Sequence, residues 1–243
     1  MTVTRNALAT YPRQSWRDHM RTLNWEQGDH LLISAPTKAG KTTMMSTLVE
    51  KRVNAGGHVV VMVSKMKDPT FKNEFKGWDI LRSWPKGGPK TWQNRVLLWP
   101  EPQATTRATI ENQREVFGTA LNEITRQGHR TVVIDESLWM NDPKLVGLST
   151  EIGAMHYFGR SAGITMVDLT QRPAWIPVII YSSVTHAYVS KTLHREDHKR
   201  LAELGGIDGK EVAENLMRLP TRHDYVYLNP LGDASPVVVN TRK

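Results

Sequence analysis

The 243-residue chain has no cysteine. That excludes a disulfide scaffold and a zinc–thiolate site, and it fits a reducing compartment. Long apolar runs are missing too. A membrane span needs about eighteen apolar residues in a row, and the longest stretch, Ile176-Pro177-Val178-Ile179-Ile180-Tyr181, is far shorter. Residues 1–6 lack the apolar centre of a secretory signal. Acidic residues are in deficit, 24 against 32 lysines and arginines, for a formal net charge of +8. Such a balance favours a polyanionic partner, nucleic acid first among them, although a solvated surface accommodates it as well. No repeat or low-complexity segment divides the chain, and its length suits one α/β domain with a full core.

What is present is concentrated at Leu31-Leu32-Ile33-Ser34-Ala35-Pro36-Thr37-Lys38-Ala39-Gly40-Lys41-Thr42-Thr43. An apolar strand runs into a small, turn-prone loop that ends in Gly-Lys-Thr, and a helix is expected over 43–52. This is the pattern of a phosphate-binding loop, with Ala35 where the first glycine usually stands. The backbone N–H groups of 35–43 would face the phosphates of a nucleoside triphosphate. Gly40 allows close approach, Lys41 reaches the β/γ oxygens, and the Thr42 hydroxyl is a ligand for Mg²⁺. Alanine at 35 is a mild change provided its φ stays negative.

Buried, β-branched runs recur along the chain: 58–64, 95–99, 131–136, 164–169 and 186–189 read as strands. Helical spacing marks 107–127, 151–161 and 196–204, with a further helix around 16–23, and 225–228 with 236–240 reads as a closing hairpin. Alternating strands and helices predict an α/β fold: a mostly parallel central sheet, helices on both faces, and a C-terminal hairpin.

Asp135 and Glu136 end the strand at 131–136, where a doubly wound sheet collects its ligand site. Asp135 would hold Mg²⁺ directly or through its waters. Glu136 would orient and polarise an attacking water. The bland alternative is an acidic strand end in solvent. Gln171 ends the strand at 164–169, and its amide can both donate and accept at the same rim.

These segments together resemble the additional-strand, RecA-like P-loop ATPases of the FtsK/HerA superfamily. The closest correspondence lies in Arg160-Ser161-Ala162-Gly163-Ile164 and in Thr170-Gln171-Arg172-Pro173. The likeness covers roughly residues 28–192. It implies ATP and Mg²⁺ as cofactors, Glu136 as catalytic base, Gln171 as γ-phosphate sensor, and Arg160 as an arginine inserted into a neighbouring subunit's site. It further implies self-association into a ring, hexamer or pentamer, that moves double-stranded DNA. Without a membrane span or room for a large added domain, the chain looks most like a phage or viral genome-packaging ATPase. Its expected place is the cytoplasm, the host's if viral, with a capsid portal or vertex protein as a partner. The alternatives are an ATP-dependent assembly or partition factor acting on a protein, or a terminase-like motor. On this reading 1–243 is a single P-loop ATPase domain: a lead-in at 1–27, the core at 28–192, and a terminal helix and hairpin at 193–243.

Several positions stay open. Arg172, Arg195 and Arg200 compete with Arg160 for the role in trans, and Arg172 could instead brace a strand end. Lys38 is either a second charge for the phosphates or a solvent-facing residue at the loop crest. The loop between Trp84 and Trp92 carries lysines and aromatic rings that could stack on bases or pack on their own fold.

Overall fold

The computed structural model describes residues 10–192, 194–201, 204 and 208–241. Among these, the strands are β1 (Arg13–Ser15), β2 (His30–Ser34), β3 (Val59–Met62), β4 (Asp79–Leu81), β5 (Arg95–Leu98), β6 (Thr131–Ile134), β7 (Thr165–Thr170), β8 (Val184–Ser190), β9 (Asp224–Leu228) and β10 (Val237–Asn240). The helices are α1 (Trp16–Thr22), α2 (Lys41–Asn54), α3 (Pro69–Glu74), α4 (Thr106–Gln127), α5 (Ser137–Asn141), α6 (Ser149–Phe158), α7 (Val178–Ser183), α8 (Arg195–Leu201) and α9 (Gly209–Met217).

All the strands join one sheet in the order β1-β10-β9-β8-β2-β7-β6-β3-β5-β4. Pairing is parallel except along β9, which runs against both β8 and β10. The α/β expectation therefore holds, and the terminal hairpin is an extension of the main sheet beside β8.

Successive strand residues point to opposite faces, and both faces are covered. Leu32, Val60, Met62, Val132 and Ile134 pack under α4, α6, α7 and α9 through Phe117, Ile152, Ile180 and Leu216. Leu31, Ile33, Val59, Val61 and Val133 pack on the other side against Met45 and Leu48 of α2 and Phe71 of α3. Burial on both sides is why these strands read as continuous apolar runs.

Helix ends follow local chemistry. Ser15 caps α1 by accepting from the Asp18 N–H, and Thr105 caps α4 by accepting from Ala108. Helix α4 stops at Gly128, whose φ of 70° and ψ of −166° suit only glycine. The helix expected at 151–161 ends at Phe158. The one expected at 196–204 is seen as Arg195–Leu201, and residues 202 and 203 lie outside the described residues, as does the segment at 1–6. Strands β1 and β4, three residues each, and helix α7 over part of the apolar run at 176–181 carry no period strong enough to announce them.

Candidate nucleotide-binding and hydrolysis site

Strand order builds the site. Strand β7 lies between β2 and β6, so three neighbouring strands deliver the loop at 35–43, Gln171, and the Asp135–Glu136 pair to one rim. That rim is the carboxyl edge of the parallel sheet, where open α/β sheets bind ligands.

The loop is pinned at both ends. Ala35 is buried with its N–H donating to the Thr170 carbonyl at 3.1 Å, and its φ is not positive, so alanine fits. Gly40 has φ +91° as the residue before α2. A Cβ there would meet His223 Nδ1 at 3.4 Å. The Ala39 carbonyl accepts from the Tyr225 hydroxyl at 3.0 Å, with His223 Nδ1 at 3.1 Å, so β9 braces the loop crest. Pro36, Thr37 and Lys38 are exposed, and Lys38 has φ +63°, which places it at the crest as a solvent-facing lysine. Lys41 Nζ donates to the carbonyls of Ala35 at 2.6 Å and Pro36 at 3.2 Å. Burial pulls its pKa down to about 8, with Glu136 opposing that shift and Lys65 adding to it. Thr42 lies half-buried in the first turn of α2, and Thr43 donates to Glu74 Oε1 at 2.8 Å.

Asp135 follows β6 at the same rim, buried. Its Oδ1 accepts from the Ser64 N–H at 3.0 Å and the Ser64 hydroxyl at 2.6 Å. Its Oδ2 is buried and has no hydrogen-bond partner among the described residues. Burial pushes its pKa up, against the Ser64 hydrogen bond and the Lys65 charge, which favour the ionised form. An orphaned carboxylate oxygen on the rim that carries the Gly-Lys-Thr loop suits Mg²⁺ or one of its waters as the missing partner. Thr42 and Asp135 offer oxygen donors of the kind that ion takes.

Glu136 Oε2 accepts from Gln171 Nε2 at 3.1 Å, and Gln171 Oε1 accepts from the Thr37 hydroxyl at 2.7 Å. Burial raises the Glu136 pKa, while the Gln171 hydrogen bond and the Lys41 charge oppose that rise. A cleft of about 230 Å³, lined by Glu136, Gln171, Leu138, Trp139 and Trp175 among others, opens alongside.

Arg160 does not join this group. It precedes β7 at the opposite, amino-terminal edge, where its guanidinium pairs with Asp29 at 3.3 Å while two-thirds exposed. Six residues of extended chain separate Asp29 from Ala35, about 20 Å. Arg172 proves to be the strand-end brace: it pairs with buried Asp197 at 3.1 Å and stacks over Trp175. Of the two tryptophans at the ends of the 84–92 loop, Trp84 packs inward and donates to Glu123, whereas Trp92 is exposed with Lys90 over its ring. Sequence reasoning missed Ser64, Glu74, Tyr225 and His223, because each reaches the site from a distant segment with no motif of its own.

Neither a protein-family model nor a curated protein sequence matches the chain. Solved structures do. The genome-packaging NTPase B204 from Sulfolobus turreted icosahedral virus 2, in complex with AMPPCP, superposes with TM-score 0.61 at 12% identity, over 87% of this chain and 97% of that one. VirB4 of Thermoanaerobacter pseudethanolicus gives TM-score 0.66 at 9% identity, over 88% and 89%. The pCW3 conjugation coupling protein TcpA gives 0.53 at 14%, over 87% of this chain and 59% of that one. The fold is that of the P-loop ATPases. At these identities the likeness is one of fold alone.

Proposed function

We propose that this chain is a P-loop ATPase that couples ATP hydrolysis to movement of double-stranded DNA, as a genome-packaging motor does. One observation carries the hydrolytic part: Thr37, Gln171 and Glu136 are joined by hydrogen bonds across three adjacent strand ends, beside the unpartnered oxygen of Asp135.

On this reading the backbone N–H groups of 35–43 and the ammonium of Lys41 bind the phosphates of ATP. Thr42 and Asp135 would hold Mg²⁺, which would supply positive charge to the phosphate oxygens. Glu136 accepts a proton from the water that attacks the γ-phosphorus, and Gln171 orients that water or the γ-phosphate. The raised pKa of Glu136 makes it a better proton acceptor than an ordinary carboxylate.

Three observations support a DNA substrate: the +8 net charge, the fold shared with a genome-packaging NTPase, and the fold shared with a conjugation coupling protein. A ring, hexamer or pentamer, would carry Arg160 to the neighbour's site, since its own site lies at the far edge. Residues 1–243 then act as one ATPase domain that docks on a portal or vertex protein in the host cytoplasm. Among the described residues, no helix is long and apolar enough to cross a membrane.

The test is steady-state ATP hydrolysis with and without double-stranded DNA, at low and moderate salt, with Glu136→Gln as control. Stimulation that falls with salt and vanishes in the variant supports the motor. Turnover indifferent to DNA redirects the reading to an assembly or partition factor driven by a protein partner. Nuclease activity in the same assay would indicate a terminase-like enzyme.

A further inference from the structure

Strand β7 holds the Glu136 segment twice. One attachment is the Gln171 amide on the Glu136 side chain. The other is buried one residue further along the chain. Ser137, fully buried at the start of α5, donates its hydroxyl to Asp168 Oδ1 at 2.5 Å. Asp168 stands opposite Ile134 in the β6–β7 pairing, fully buried, and its second oxygen lies 2.8 Å from His156 Nε2. The other nitrogen of His156 faces the Ser183 hydroxyl at 2.8 Å. Asn141, at the far end of α5, returns an amide N–H to the Ser137 carbonyl at 2.7 Å. A carboxylate on a central strand is costly to bury, and it is retained here with both oxygens engaged.

We infer that Ser137, Asp168 and His156 form a positioning device that fixes the backbone bearing Glu136 relative to Gln171. The inference rests on the reading of Glu136 as the catalytic base. The physical reason is leverage. Glu136 is extended, with φ −150° and ψ 96°, and α5 has only five residues, so neither supplies rigidity of its own. The Ser137 hydroxyl ties the next Cα to the same strand that presents Gln171, three residues from Asp168. The base and its amide partner are thereby referred to one rigid element, which proton transfer at hydrogen-bond distance requires. His156 restrains the other carboxylate oxygen, so Asp168 keeps one rotamer. Among the described residues none of the three side chains hydrogen-bonds to the loop at 35–43, so binding and turnover should respond differently.

The experiment is a kcat and KM comparison of Ser137→Ala, Asp168→Asn, Asp168→Leu and the Ser137→Ala/Asp168→Leu double variant, with Glu136→Gln and wild type alongside. Thermal melts and fluorescent ATP-analogue titration accompany each. Ser137→Ala removes one oxygen and serves even where a leucine at 168 prevents folding. It is expected to lower kcat about tenfold with KM and analogue affinity within about twofold. Asp168→Asn still offers an amide oxygen to the Ser137 hydroxyl and is expected to keep at least a third of wild-type kcat. Asp168→Leu alone and the double variant, where they fold, should show equal kcat, because the leucine already removes the acceptor of the Ser137 hydroxyl.

Wild-type kcat in Ser137→Ala, with Glu136→Gln inactive, overturns the positioning device and leaves the base intact. Equal loss of kcat and analogue binding in Ser137→Ala overturns it as well, since that marks general damage. Full turnover in Glu136→Gln removes the base itself, and the device with it.

Discussion

The Gln171 side chain is shared between Thr37 and Glu136: its oxygen accepts from the Thr37 hydroxyl at 2.7 Å and its nitrogen donates to Glu136 Oε2 at 3.1 Å. One neutral amide thus joins the loop at 35–43 to the candidate base. Gln171→Ala should lower kcat by about 10²-fold, with KM for ATP within about threefold, because the amide orients the reacting groups rather than anchoring the nucleotide. Steady-state kinetics decides. A variant that loses affinity while keeping kcat would return Gln171 to ground-state binding.

Lys41 titrates at about 8 in the free protein. A triphosphate beside it favours the ammonium form and raises that value. ATP binding near pH 8 should therefore take up a proton, and affinity should weaken as pH climbs above 8. Calorimetry in buffers of different ionisation enthalpy measures the uptake directly. Zero uptake at pH 8 would mean the lysine is already fully charged.

Asp135 has its pKa raised by burial, so the fold favours the protonated acid. That contribution to stability is complete below the unfolded value and is lost as pH rises through the folded one. At neutral pH without divalent cations, Asp135→Asn should melt a few degrees higher than wild type, and the gap should narrow on acidification. The same variant should lose Mg²⁺-dependent turnover. Equal melting temperatures across the pH range would show that the carboxylate carries no burial cost.

Arg160, two-thirds exposed, pairs with buried Asp29, which also accepts from the Glu26 N–H; solvent around the guanidinium holds the pair to about 1 kcal/mol or less. Arg160→Ala should keep ATP affinity and melt within a degree or two of wild type. Mixed with wild-type subunits, it should depress turnover more steeply than its mole fraction, as a residue completing a neighbour's site would. Strict proportionality on mixing sinks the role in trans.

Gly128 ends α4 with φ +70°, and a Cβ there would lie 2.4 Å from the Ala162 carbonyl oxygen. Gly128→Ala should cost about 2 kcal/mol, a fall of about 4–8 °C in Tm. A smaller loss would mean the 128–131 turn relaxes freely.

Much of this was legible along the chain. The loop at 35–43 is a contiguous string that ends in Gly-Lys-Thr, and the strand at 131–136 carries its acidic pair at its carboxyl end. The central strands announce themselves because burial on both faces demands unbroken apolar runs. Glycine at 40 and 128 marks the turns that need positive φ.

Other features belong to the assembled sheet alone. That β7 lies between β2 and β6, and so sets Gln171 between Thr37 and Glu136, is a matter of strand order and not of any local window. The same holds for Ser64 on Asp135, for Tyr225 on the Ala39 carbonyl, and for the Asp168–His156 pair. It also holds for Arg160, whose motif suggested a site and whose place is the opposite edge. Period and propensity act over a few residues, so the order of amino acids settles which segments become strands and which end in reactive groups. Which of those ends meet depends on contacts between residues tens to hundreds of positions apart, and these form only when the two hydrophobic faces close.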